Sequence, residues 1–188
     1  MSYKLSYKTF GKRLFDIFIS VICLLTIVPL LYIILGILIK IETPGPILFR
    51  QKRIGYGGKI FTIFKFRTYT HESVNHLTRF GQVIDKLRLN EFPNFWNVLI
   101  GDMSIVGPRP LPIYFYEDSN LCDFVSSPSR TAMLPGITGP GQVSNLRGLS
   151  YSHVQTREAL SKLEQEYGQK ISFKEDLKII SKTLLIFL

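Results

Sequence analysis

A mostly helical α+β fold is what this sequence predicts. An N-terminal re-entrant membrane helix-break-helix occupies residues 1–42, and a small cytosolic domain with a β-hairpin and amphipathic interfacial helices occupies 43–188. Three observations predict it. Residues 17–39 form an uncharged apolar run with Pro29 near its middle. Alternating stretches flank the turn-forming Gly55-Tyr56-Gly57-Gly58, and beyond Thr78 apolar residues recur at helical spacing.

At about 1.5 Å per helical residue the run is long enough to cross a hydrocarbon core of roughly 30 Å once. Its flanks argue otherwise. Lys4, Lys8, Lys12 and Arg13 precede it and Lys40, Arg50, Lys52 and Arg53 follow it, whereas a single crossing leaves its basic residues mainly on one side. Pro29 is a natural kink, and each limb beside it spans only about 18 Å, too little to cross alone. A hairpin that dips into one leaflet and returns fits both facts, with Thr26 as a partner for carbonyls freed near Pro29. A kinked spanning helix is the alternative reading. A secretory signal peptide fits poorly, because the apolar part is too long and no small-residue cleavage site follows. Asp16, at the lip of the run, is expected to be neutralised by Lys12 and Arg13, which lie four and three residues before it.

The rest of the chain suits one modest domain. A net charge of +9 and a pI near 9.6 point to an anionic membrane surface or phosphate-bearing substrates. Nucleic acid is not an expected partner: no zinc-finger spacing, RNA-recognition aromatic signature or basic heptad region is present. Cys23 and Cys122 have no paired spacing, and His71, His76 and His153 have no metal-ligand spacing.

After Thr43-Pro44-Gly45-Pro46 breaks the helix, residues 47–53 and 59–69 read as hairpin strands. Alternation places Lys59, Phe61, Ile63, Lys65 and Arg67 on one face and Ile60, Thr62, Phe64 and Phe66 on the other. The first face reads as cationic, able to hold a diphosphate through Lys65 and Arg67 or simply solvated. From 78 to 100 the pattern is helical, with Phe80, Val83, Ile84 and Leu87 as its stripe and an interruption near Pro93. Proline on both sides of Arg109 stiffens the backbone and suits a bidentate grip on phosphate. Residues 154–167 read as a helix. Ser172 and Glu175 form a capping-box signature for another, whose apolar end at 184–188 either lies in the interface or closes the core.

Taken in order, Lys12-Arg13-Leu14-Phe15-Asp16, mid-run Pro29, Pro44-Gly45-Pro46, Lys65-Phe66-Arg67-Thr68, Leu89-Asn90-Glu91-Phe92-Pro93, Trp96-Asn97-Val98-Leu99, Gly101-Asp102-Met103-Ser104, Gly107-Pro108-Arg109-Pro110 and Pro135-Gly136-Ile137-Thr138-Gly139 resemble the motifs of the bacterial sugar transferases, the monotopic phosphoglycosyl transferases. The resemblance covers nearly the whole chain. It implies transfer of a phospho-sugar from a nucleotide diphosphate sugar, usually a UDP-sugar, to undecaprenyl phosphate at the cytosolic face of the bacterial inner membrane. That reaction starts lipid-linked assembly of exopolysaccharide, capsule, O-antigen or glycoprotein glycans. It further implies magnesium, held by Glu91, and phosphate contacts from Lys65, Arg67, Arg109 and Arg147, with Arg13, Asp16 and Pro29 as structural residues. Arg147, in Gln142-Val143-Ser144-Asn145-Leu146-Arg147-Gly148, reads otherwise as a surface-loop arginine.

Two positions depart from the family pattern. The family typically carries an adjacent Asp-Glu dyad, its Asp attacking phosphorus; this chain has Asn90-Glu91. An amide is a poor nucleophile. Asp85 stands where the family often has arginine, either compensating for Asn90 or merely facing solvent. Three outcomes follow: direct attack by the polyprenyl phosphate with Asn90 as a hydrogen-bond donor, recruitment of another carboxylate such as Asp85 or Asp102, or a catalytically silent membrane scaffold. Donor sugar and oligomeric state are not encoded legibly.

Overall fold

The computed structural model describes residues 7–70 and 76–187; Lys4, His71 and Leu188 lie outside the described residues. A π-helical turn, Tyr7–Gly11, leads into α1 (Lys12–Leu25), and after a break at Thr26 the chain continues as α2 (Ile27–Glu42). The two helices are bent by 45°. The break lies one turn before Pro29 rather than at it. Pro29 occupies the first turn of α2, where its missing N–H is no loss, and its ring excludes a continuous helix by clashing with the carbonyl four residues back, at Leu25. Thr26 seats the bend: its N–H (3.0 Å) and hydroxyl (2.7 Å) both donate to the Ile22 carbonyl. Among the described residues no single helix is long and apolar enough to cross a membrane, while the bent pair together is, by length and composition.

Each limb buries one stripe. Asp16, Ser20 and Cys23 turn inward from α1, and Leu35, Gly36 and Ile39 from α2. The other faces expose Phe18, Leu25, Leu30, Ile33 and Ile37. Strands β1 (Leu48–Ile54) and β2 (Ile60–Phe66) pair antiparallel, with Leu48 opposite Phe66 and Ile54 opposite Ile60. Their turn uses Gly57 and Gly58 at positive φ. Neither face of β2 is solvated, contrary to the expected division. Ile63 packs with Val98, Met103 and Tyr167, while Phe66 on the other side packs with Leu35 and Ile39 of α2. The hairpin is a middle layer between α2 and the main core, which is why its polar residues are drawn into specific contacts.

The helical pattern over 78–100 resolves into α3 (Arg79–Lys86), a left-handed Arg88, a 3-10 turn over Leu89–Asn94 and α4 (Phe95–Ile100). Thr78 caps α3, its hydroxyl accepting from the Gly81 N–H at 2.9 Å. The expected stripe splits: Ile84 is buried against Phe66, whereas Phe80, Val83 and Leu87 are exposed. Strand β3 (Ser104–Val106) pairs in parallel with β4 (Gly136–Thr138), a second sheet the sequence reading lacks. Between them lie α5 (Tyr114–Glu117), α6 (Cys122–Val125) and α7 (Pro128–Thr131). Helices α8 (Val154–Lys170) and α9 (Phe173–Phe187) complete the fold. The Ser172 hydroxyl accepts from the Glu175 N–H at 3.3 Å. In α9 Asp176 and Ile179 are buried, and Leu184, Leu185 and Ile186 remain exposed, so one helix both closes the core and leaves an apolar end uncovered.

The two ends of the bent pair are tied to this one body. Arg13 donates to the carbonyls of Val98 (2.6 Å) and Leu99 (2.9 Å), Asp16 accepts from the Ile105 N–H at 3.0 Å, and Lys12 bridges Asp176 at 2.6 Å. The charge of Lys12 still favours the Asp16 carboxylate, as expected, but the direct contacts of Lys12, Arg13 and Asp16 are three separate anchors. An exposed pair along a helix is worth only tenths of a kcal/mol, whereas the last carbonyls of α4 and the β3 N–H need partners once buried. At the far end Arg67 donates to the carbonyls of Pro46 (2.8 Å) and Thr43 (3.0 Å). Glu42 accepts from the Phe80 N–H at 3.1 Å, joining α2 to the start of α3.

Candidate active site

The 3-10 turn after Arg88 carries Asn90, Glu91 and Asn94 inward, all buried. It is stitched to the edge of β2: Asn94 Oδ1 accepts from the Phe64 N–H at 3.2 Å, and Asn97 Nδ2 donates to the Thr62 carbonyl at 2.7 Å. This brings Glu91 Oε1 to Lys65 Nζ at 2.9 Å, Arg109 Nη2 at 3.4 Å and Arg88 Nη1 at 3.9 Å. Burial alone would raise the Glu91 carboxyl. The charges of Arg109, Lys65 and Arg88 outweigh it and hold the group down at about 2. Burial pulls the Lys65 ammonium below its ordinary range, with Glu91 acting against that fall.

Arg109 is held from behind. Arg130 donates Nη2 to the Arg109 carbonyl at 2.6 Å and Nη1 to both oxygens of Glu164 at 2.9 and 3.0 Å. Its guanidinium stacks 4.6 Å from the Phe124 ring centroid. Burial holds the Glu164 carboxyl up at about 7 against the pull of Arg130. Arg53, reaching from β1, donates to the Pro110 carbonyl at 2.8 Å and also to Gln51. Burial, with Arg109 nearby, lowers its guanidinium to about 10.

Arg53, Lys65, Glu91, Asn94 and Arg109 thus line one cleft, with Ile63 and Met103 among its apolar walls. Three cations face one carboxylate. Such a cleft attracts a polyanion, Lys65 as a point charge and Arg109 as a planar fork.

Of the residues expected from sequence, Lys65, Glu91 and Arg109 come together here. Arg67 instead clamps the exit of α2, and Arg147 is exposed on a loop that does not line the cleft. Asn90 adjoins the site with its side chain turned away: Nδ2 donates to Asp85 Oδ1 at 3.0 Å, and its own Oδ1 is buried without a partner. Asp102 does not line the cleft either. Arg53, Arg130 and Glu164 were missed. Arg53 looked like one more flanking cation, and nothing local links positions 109, 130 and 164.

Among the described residues no group of three or more His, Cys, Asp or Glu is placed to hold a metal ion. Magnesium that arrives with phosphate needs fewer protein ligands, typically one or two carboxylates. Glu91 offers one such carboxylate in the cleft. That donor set fits magnesium.

The model of the family described as Bacterial sugar transferase matches residues 7–188. A UDP-N-acetylgalactosamine-undecaprenyl-phosphate N-acetylgalactosaminephosphotransferase of Aeromonas hydrophila is 36% identical over 200 residues, covering 93% of this chain and 43% of that protein. An undecaprenyl-phosphate glucose phosphotransferase of Komagataeibacter xylinus is 35% identical, covering 92% and 35%. An exopolysaccharide production protein PSS of Rhizobium leguminosarum bv. phaseoli is 33% identical, with 93% of each chain covered. The chain spans less than half the length of the first two relatives and nearly all of the third.

Proposed function

Because this chain belongs to the bacterial sugar transferase family, we propose that it moves a phospho-sugar from a nucleotide diphosphate sugar, a UDP-sugar first of all, to undecaprenyl phosphate. It thereby starts a lipid-linked glycan such as an exopolysaccharide. The observation that carries the reading is the cleft in which Arg53, Lys65 and Arg109 surround Glu91. Related chains named as undecaprenyl-phosphate sugar phosphotransferases support the choice of donor and acceptor class.

The placement of the acceptor follows from the bent pair. Arg13 and Asp16 at its start and Arg67 and Glu42 at its end bind one body, so both ends lie on the same side of any bilayer that receives the exposed apolar faces. The pair enters and leaves one leaflet, from the cytosolic face of the inner membrane. Phe80, Val83 and Leu87 on α3 and Leu184 and Leu185 on α9 are exposed as well and offer further apolar side chains to an interface. Undecaprenyl phosphate keeps its tail in the leaflet and its phosphate at the interface, within reach of a site just above it.

In the cleft Lys65 and Arg109 transfer part of their grip from Glu91 to the oxygens of the diphosphate. Their fixed charges offset the negative charge that grows on the departing nucleoside monophosphate. Arg53 and the Arg130 bond to the Arg109 carbonyl keep those donors in place without reorganisation. Glu91 would hold magnesium, and the ion would offset further phosphate charge when bound. A silent scaffold is the second reading, favoured by the uncharged Asn90.

The test is nucleotide release. Purified protein in lipid nanodiscs, given magnesium, undecaprenyl phosphate and a panel of UDP-sugars, should release uridine monophosphate with at least one donor, and Glu91→Gln should abolish it. No release with any donor contradicts transfer. Release that survives Glu91→Gln contradicts the site.

A further inference from the structure

We infer that Glu164 is a positioning residue for donor binding: through Arg130 it fixes the backbone that presents Arg109 to the diphosphate, so its ionisation governs how tightly the cleft holds that donor. This rests on the transferase reading above. Pro108-Arg109-Pro110 offers three successive carbonyls, and each has a separate partner. Pro108 accepts from the Gly136 N–H at 2.9 Å, Arg109 from Arg130 Nη2 at 2.6 Å and Pro110 from Arg53 Nη1 at 2.8 Å. Neither proline brings an N–H of its own, so bonds to these carbonyls hold the segment that carries the Arg109 side chain.

Two of those three donors do not change near neutral pH. One is a peptide N–H, and the other is Arg53, whose guanidinium at about 10 stays charged. Arg130 differs because of what holds it in turn. Its Nη1 donates to both Glu164 oxygens at 2.9 and 3.0 Å, and the two side chains are only 6% and 3% exposed. Phe124 covers the guanidinium at 4.6 Å. A buried guanidinium that loses its counter-ion is strongly destabilised. When Glu164 takes a proton, Arg130 keeps its charge, loses that partner and is drawn toward water, away from the Arg109 carbonyl.

The charged group that faces Glu164 is Arg130, from α7. Other ionisable groups on the elements packed around it are engaged elsewhere or exposed. On α8, Arg157 donates to the Tyr151 and Ser152 carbonyls, Tyr167 donates to Asp176, and Glu158 and Lys162 are exposed; on α6, Asp123 is exposed. Burial holds the Glu164 carboxyl up at about 7 against the pull of Arg130, so the link opens and closes around neutrality. Below that pH the acid is mostly neutral and the Arg109 backbone is released; above it the carboxylate forms and the backbone is set. A donor that prefers the set backbone expels a proton from Glu164 as it binds, and its affinity rises with pH.

The experiment titrates the full chain in nanodiscs, with magnesium and without acceptor, using a UDP-sugar analogue whose two phosphorus atoms are joined by a methylene group. That ligand is not cleaved and has no group that ionises between pH 6 and 8. Calorimetry should show affinity rising about tenfold from pH 6 to pH 8, the change in ionised fraction of a carboxyl at about 7. Buffers of different ionisation enthalpy should show a proton released on binding near pH 7, a readout that needs no variant to fold and that a purely structural salt bridge would not produce. Glu164→Gln should bind at pH 8 about as weakly as the parent does at pH 6, with neither the slope nor the proton release. Glu164→Asp, which keeps a titrating carboxyl, should keep both. A parent whose affinity changes less than twofold across this range overturns the inference and leaves the transferase reading intact. So does a slope that persists in Glu164→Gln. No binding by the parent at any pH overturns both.

Discussion

Replacing Lys65 by methionine tests how the cleft is balanced. Lys65 Nζ lies 2.9 Å from Glu91 Oε1, nearer than Arg109 at 3.4 Å or Arg88 at 3.9 Å. Holding the Glu91 carboxyl at about 2 instead of 4.5 is worth about 3 kcal/mol to the folded state. Because this carboxyl is depressed, that stability is present above about pH 4.5 and is lost as pH falls toward 2. A hydrogen bond between charged groups contributes about 1.5–3 kcal/mol, and deleting a buried ammonium recovers part of its own desolvation. Lys65→Met should therefore cost about 1–2 kcal/mol near pH 7 and shift acid unfolding to higher pH, since Glu91 then protonates earlier. Transfer should fall about 10²-fold or more, as when one preorganised charge donor is removed. Thermal melts in detergent from pH 3 to 8 read the first effect, and uridine monophosphate release reads the second. Lys65→Arg should keep the charge and recover part of both. Unchanged acid unfolding together with release within threefold of the parent would refute the balance described.

Arg130→Leu should lower stability by about 3 kcal/mol, the low end for breaking a buried pair, because Glu164 escapes by protonation; a melt near pH 7 checks this, and release should fall with it as the Arg109 carbonyl loses its donor. Arg67→Met should leave release within threefold but speed proteolysis between residues 43 and 47, where two carbonyls lose their partner. Pro29→Ala removes the clash with the Leu25 carbonyl and should straighten the 45° bend, lengthening the spin-label distance between positions 18 and 37.

Elements marked by local chemistry were legible in the sequence. The apolar run, the glycine turn at 55–58, the Thr78 and Ser172 caps and the proline-flanked Arg109 each announce themselves within a few residues. Contacts between distant segments were not. Strands β3 and β4 have three residues each and meet across some thirty positions, so neither shows a period. Cation roles were similarly hidden: Arg13, Arg53 and Arg67 look alike as flanking charges, yet carbonyls at Val98, Pro110 and Pro46 claim them. Pro29 signalled a break but not its place, which depends on the carbonyl its ring would strike. Asp85 and Asn90 were both visible as departures from the family, but only the left-handed Arg88 brings them into contact.

The claim beneath all of this is that the bent pair enters and leaves by the same face, which sets the cationic cleft at the lipid headgroups. Single cysteines at Lys8 and Lys52, placed in a Cys23→Ala/Cys122→Ser background, read it directly in intact cells with a membrane-impermeant thiol reagent. Both should stay unlabelled until the cells are opened, and both should then label. One position reacting in intact cells while the other does not would make the segment a spanning helix and contradict the account.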